Sequence, residues 1–268
     1  MKSIKIFQID AFTDQLFSGN PAAVCVLNNW LSDNLMQSIA NENNLAETAF
    51  IVSKGDDFEI RWFTPTTEVD LCGHATLASA YVLYNLLDYP GSLIRFYSPR
   101  SGWLSVKKRD EMLYLDFPTD TLELINRKQQ VIHIYACIGI FPIELYKGKT
   151  DYIAVIDSES SLKNIQPNLE EIAKLKGRGL VVTAKGDAVD FVSRFFAPQS
   201  GIDEDPVTGS AHTSLVPIWA KKLGKRNFTA SQLSKRGGQL VCEYADDRCL
   251  IGGKAKLYLT GEIKLDQL

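Results

Sequence analysis

The sequence predicts an α+β protein made of two like halves, each with strands wrapped around one buried helix. Two observations predict it. The chain carries its own pattern twice, and each copy holds one segment of small and apolar residues that starts at a glycine. Lys54-Gly55-Asp56 recurs as Lys185-Gly186-Asp187, 131 residues later. Arg61-Trp62-Phe63-Thr64-Pro65 recurs as Arg194-Phe195-Phe196-Ala197-Pro198, 133 residues later. Ser101-Gly102 and Asp110-Glu111 recur at Gly237-Gly238 and Asp246-Asp247, 136 residues later. At 268 residues the length suits two domains of about 130 residues each. The halves are expected over 1–118 and 130–268, with a linker near 119–131, where no strong pattern stands.

The first copy opens with an alternating strand near 3–9. Gly19-Asn20-Pro21 punctuates the chain before an apolar strand, Ala22 to Leu27. Ser32 suits the cap of a helix with Leu35, Met36 and Ile39 on its apolar face. Strands follow near 48–53 and 58–63. The segment from Gly73 to Tyr84 is apolar on nearly every side, so strands must surround it. A hairpin with arms near 102–107 and 112–117 closes the copy.

The second copy repeats this order. Asn168 with Glu171 forms a capping box for a helix over 169–176, ended by Gly177. Strands recur near 179–184 and 190–196. The second central helix starts at Gly209, and Pro217 is expected to kink it or confine it to late turns. Between Pro198 and Gly209 the repeat offset grows by three. The extra residues fall within Gly201-Ile202-Asp203-Glu204-Asp205-Pro206, which reads as a gain of carboxylates beside a buried helix start.

Composition narrows the function. Hydrophobic residues make up 45% and charged residues 23%, a globular balance, and the net charge of −3 argues against nucleic acid as main partner. Five scattered cysteines (Cys25, Cys72, Cys137, Cys242 and Cys249) suggest reduced thiols in a cytoplasmic protein. The three histidines have no metal-ligand spacing, and no dinucleotide or Walker loop appears, so no cofactor or metal is expected. The N-terminus lacks the apolar core of a signal peptide, and no apolar run reaches membrane-spanning length.

Six residues are candidates for chemistry. Both central helices begin with a glycine and small residues, Gly73-His74-Ala75-Thr76 and Gly209-Ser210-Ala211-His212. Helix starts offer unpaired amides and partial positive charge, which suits a carboxylate; the alternative is that small residues ease helix entry into a sheet. Glu47 lies between helix and strand, and its repeat counterpart is Arg178, so its role is not duplicated. In an apolar cleft such a carboxyl exchanges protons near neutral pH; the alternative is a surface glutamate. Asp205 either caps the helix after it or orients a substrate. His74, at a positive helix end, is expected to be neutral and to hydrogen-bond a substrate. His212 reads as structural, and His133 is assigned nothing. Cys72 precedes a helix start, which lowers a thiol pKa, but its counterpart is Thr208, so a two-thiol mechanism is excluded.

Gly19-Asn20-Pro21-Ala22-Ala23-Val24, Asn44-Leu45-Ala46-Glu47-Thr48-Ala49-Phe50, Cys72-Gly73-His74-Ala75-Thr76 and Glu204-Asp205-Pro206-Val207-Thr208-Gly209-Ser210-Ala211-His212 resemble the PhzF-like (phenazine biosynthesis-like) isomerases. The resemblance runs in order over nearly the whole chain. It implies the diaminopimelate epimerase-like fold: two pseudo-symmetric domains, each a mostly antiparallel, barrel-like sheet around a central helix, with the active site between them. It implies a cofactor-free isomerase of a small carboxylate, usually a homodimer. Glu47 matches the family's proton-shuttling glutamate, and His74 and Asp205 match residues that bind and orient substrate. Gly73, Gly209 and Ser210 match groups holding a carboxylate. The founding member shifts a proton within trans-2,3-dihydro-3-hydroxyanthranilate. A one-thiol amino-acid epimerase using Cys72 and a non-catalytic ligand-binding protein stand as alternatives.

Overall fold

The computed structural model describes residues 2–265, so the outermost ends of the expected halves lie outside it. The fold is α+β, built as two compact units. One comprises the chain up to Asp116 together with the segment from Gly252 onward; the other is Phe117–Ile251.

In the first unit, Lys2–Ala11 pairs antiparallel with Asn20–Leu27. Gly19 makes the turn into the second strand at φ +67, and a Cβ there would meet the Ala11 carbonyl oxygen at 2.2 Å. Only glycine fits that approach. Asn20–Leu27 runs parallel to Glu47–Lys54, which pairs antiparallel with Asp57–Phe63. That strand runs parallel to Leu93–Ser98, which pairs antiparallel with Gly102–Arg109. Ser32 caps the helix Asp33–Asn43 by accepting from the Leu35 amide. The helix buries Met36, Ile39 and Ala40 against Phe50, Val52 and Phe63.

The central helix, Gly73–Leu86, packs against the strands Lys2–Ala11, Asn20–Leu27 and Glu47–Lys54. Every residue from Gly73 to Ala80 is buried, as its all-round apolar sequence predicts. Its buried Thr76 and Ser79 hydroxyls find local acceptors: Thr76 donates to the Cys72 carbonyl at 2.6 Å and Ser79 to that of Ala75 at 2.8 Å.

The second unit repeats the order of pairings. Asp151–Val155 runs parallel to Gly179–Lys185, which pairs antiparallel with Phe191–Phe196. That strand runs parallel to Asn227–Gln232, which pairs antiparallel with Gly238–Ala245. Asn168 caps the helix Leu169–Ala173 through the Glu171 amide. The box is not completed, because the Asn168 amide donates to the Cys137 carbonyl and Glu171 turns to Lys174 and His133; the helix ends at Ala173, earlier than Gly177.

The second central helix, His212–Leu223, follows a 3-10 turn, Gly209–Ala211, and runs through Pro217. Proline removes one helical donor, at a cost of about 3 kcal/mol or more in an ordinary helix. Here the carbonyl it would leave unpaired, that of Thr213, accepts the Asp120 amide at 3.2 Å. Ser214 donates to Asp120 Oδ2 at 2.7 Å, which fixes the replacement partner.

The expected domain limits need correction at both ends. Ala255–Leu265 pairs antiparallel with Lys2–Ala11, from Ile4 against Ile263 to Ala11 against Ala255, so it completes the first unit. The expected linker belongs to the second unit. Glu123–Leu124 pairs with Tyr146 and Lys147, and the helix Lys128–Ile138 buries Ile134, Cys137 and Ile138 in its core. His133 therefore sits on a helix, where Nε2 meets the Glu171 carbonyl at 3.1 Å.

Candidate active site

Glu47 is the first residue of its strand. The preceding helix stops at Asn44, left-handed at φ 48, with its amide on the Ala40 carbonyl. This sharp stop brings Glu47 beside the start of the central helix. Its Oε2 lies 3.1 Å from His74 Nε2, with the two side chains only 12% and 7% exposed. The distance makes an ion pair, yet Oε2 has no aligned hydrogen-bond donor and is shielded from solvent. Glu47 Oε2 is thus a buried carboxylate oxygen whose near neighbour is the His74 ring nitrogen.

His74 differs from the neutral imidazole expected. Burial works against its charge, but the charges and hydrogen bonds of Cys72 and Glu47 outweigh burial and hold it well above 6.5. Cys72 Sγ stands 3.5 Å from His74 Nδ1. Burial pushes the Cys72 thiol up, and the nearby Glu47 charge adds to that, so the helix start does not yield the lowered pKa expected.

The second unit brings Asp205, Gly209 and Ser210 into one tight segment. Asp205 is buried and its Oδ2 accepts from the Thr208 hydroxyl. Gln232, missed in the sequence, clamps this turn. Its Nε2 donates to the Asp205 carbonyl at 2.7 Å, and its Oε1 accepts from the Thr208 amide at 2.8 Å. Ser210 Oγ accepts from Arg178 Nη1 at 2.9 Å. Arg178 is held by the buried Asp151, by Nε to Oδ1 at 3.0 Å and a second contact from Nη2. Its guanidinium lies over Phe195 at 5.0 Å. Burial lowers the Arg178 pKa, but Asp151 first, then Asp205 and Asp120, hold it above its ordinary value. Arg178 was legible in one way: it is the repeat counterpart of Glu47.

The gained carboxylates also need correction. Arg61 pairs with Glu68 at 2.7 Å, and Arg194 pairs with Glu204 at 2.7 Å. Glu204 is thus the repeat partner of Glu68 at an offset of 136, so the three extra residues lie between Pro198 and Glu204, and Glu204 and Asp205 are not among them. The His212 ring is fully buried, and Nδ1 meets the Thr208 carbonyl at 3.0 Å. A surface cavity of about 450 Å³ beside Ile138, Ser160 and Asn164 contains none of the candidates and no ionisable side chain.

Comparison with known proteins decides the family. The profile of the phenazine biosynthesis-like proteins (PhzC-PhzF) matches residues 9–261. The chain belongs to the PhzF family. A PhzF-family crystal structure from Enterococcus faecalis superposes with a TM-score of 0.95 at 46% identity, covering 98% of this chain and 100% of that one. An uncharacterized isomerase of Pseudomonas aeruginosa is 47% identical over 98% of this chain and 99% of its own length. A hydroxyproline epimerase from Agrobacterium vitis shares the fold, with a TM-score of 0.61 at 10% identity. Membership of the PhzF family marks the chain as an isomerase-type enzyme. Among the described residues no helix is long and apolar enough to cross a membrane.

Proposed function

We propose that this PhzF-family enzyme moves a proton between two carbons of a small carboxylate substrate without a cofactor. Glu47 takes a proton from one carbon, leaving an enolate-like anion, and returns it to a second carbon. No atom is gained or lost. His74 binds and orients the substrate and offers positive charge to the developing anion. Asp205 orients the substrate, and Gly73, Gly209 and Ser210 hold its carboxylate through amides and a hydroxyl. A well-placed donor to such a charge lowers a barrier by about 3 kcal/mol. A homodimer and a cytoplasmic location belong to the same proposal, and sedimentation tests the first.

One observation carries this reading: a carboxylate shielded from solvent stands 3.1 Å from an imidazole that Cys72 and Glu47 together hold well above its ordinary pKa. Proton transfer needs a basic lone pair in place, and this is one. The thiol route is weaker, because burial keeps Cys72 protonated and its repeat counterpart is a threonine.

The test is a screen of small carboxylic acids in heavy water, with deuterium uptake at carbon followed by NMR. An acid that exchanges with wild type is then given to Glu47→Gln, which should fold and turn over at least ~100-fold more slowly. Undiminished turnover rejects the role of Glu47. Exchange lost in Cys72→Ala but kept in Glu47→Gln establishes the thiol epimerase instead. Binding without exchange for every acid favours the ligand-binding protein.

A further inference from the structure

Glu47, Cys72 and His74 each offer a metal-ligating atom, and these atoms lie within 4.8 Å of one another. His74 Nε2 is the shared centre, 3.1 Å from Glu47 Oε2 and 4.0 Å from Cys72 Sγ. Zinc binds imidazole and carboxylate at about 2.0–2.2 Å and thiolate at about 2.3 Å in a tetrahedron. Those lengths set ligand-to-ligand edges of roughly 3.3–3.6 Å, so side-chain shifts of about 1 Å close the set. The sulfur and nitrogen donors select zinc over magnesium or calcium.

Two further observations favour a dication. Glu47 Oε2 is shielded from solvent and lies 3.1 Å from His74 Nε2, so two of the ligand atoms already stand desolvated side by side. A carboxylate, a thiolate and a neutral imidazole together carry two negative charges. Zinc cancels them, and a neutral assembly is what a buried position tolerates. Three protein ligands leave the fourth corner of the tetrahedron to water or a small anion.

We propose that Glu47, Cys72 and His74 form a zinc-binding site that reversibly blocks the enzyme. Metal binding releases the thiol proton and the imidazolium proton to solvent. It occupies the Glu47 oxygen and the His74 nitrogen, so the inhibitory part rests on the proton-transfer reading above. The binding part does not.

The test titrates the untagged full chain with zinc chloride and, for spectroscopy, cobalt chloride at pH 7.5. One equivalent of cobalt should give tetrahedral d–d absorption and a sulfur-to-metal charge-transfer band, and zinc should displace it. Cys72→Ala should remove the charge-transfer band and weaken zinc binding at least ~100-fold, beyond the 10–100-fold typical of losing a group that only supports a ligand. His74→Gln and Glu47→Gln should weaken binding while keeping a thiolate band, which covers the case of a poorly folding Cys72→Ala. No band at stoichiometric cobalt, or zinc affinity unchanged in the variants, overturns the site. If Glu47 proves dispensable for turnover while zinc still binds, the proton-transfer reading falls and the metal site stands.

Discussion

The two central helix starts are built on equivalent positions and carry opposite chemistry. Where the first copy has Glu47 against His74, the second has Arg178 against Ser210. Glu47 opens its strand and Arg178 immediately precedes its own, and each meets the second residue of a helix or helical turn. The separations are 3.1 Å and 2.9 Å. Duplication kept the contact while the charge of the strand residue inverted. By contrast, Arg61 with Glu68 and Arg194 with Glu204 kept both charge and geometry, and each arginine also covers a phenylalanine. A pair that must only hold strands together stays the same. The pair at the helix start was free to specialise, as an acid–imidazole pair in one unit and a guanidinium–hydroxyl pair in the other.

The largest expected effect lies in the cationic pair. Arg178→Gln strips the partner from Asp151, a carboxylate only 3% exposed. Leaving a buried charge unpaired costs about 3–5 kcal/mol, read as a lower urea midpoint. Adding Asp151→Asn should restore most of it, because no charge is then stranded. A single variant as stable as wild type would reduce Arg178 to a bystander.

The next effect compares the first turns. Thr76 and His212 are repeat counterparts, and each bonds the carbonyl four residues back. Burial pushes the His212 pKa down from 6.5 to about 4. The unfolded chain gains a proton as pH falls through 6.5, whereas the folded chain resists protonation until about 4. The stability is therefore complete above 6.5 and falls by roughly 3 kcal/mol as pH drops to 4. His212→Thr, which installs the first copy's residue, should flatten that part of the stability–pH curve. An unchanged slope would assign it to other groups. The smallest effect is that of Thr76→Val, which leaves one buried carbonyl with one bond fewer and should cost about 1 kcal/mol.

Local features of the fold were legible in the sequence because local physics sets them. Ser32 and Asn168 cap helices, and the all-round apolar run from Gly73 is buried. Long-range pairing was not legible: nothing near Ala255–Leu265 says that its partner is the first strand. The stretch 119–131 hid a two-residue strand and a helix start because neither is long enough to show a period. Near the candidate site, Glu47 and His74 stood out by motif, but the protonation of His74 did not. The helix end alone argues for a neutral ring, and one of the two groups that outweigh it, Glu47, is 27 residues away in sequence. Gln232 carries no sequence mark at all, since an amide gains its role only from the turn it clamps.

With three histidines in the chain, side-chain nitrogen NMR can follow each imidazole as pH is varied. In wild type the His74 ring should stay protonated well above pH 6.5, and in Glu47→Gln it should lose its proton at lower pH, as burial takes over. A His74 titration that Glu47→Gln leaves unmoved would contradict the acid–imidazole pair from which the whole account of proton transfer is built.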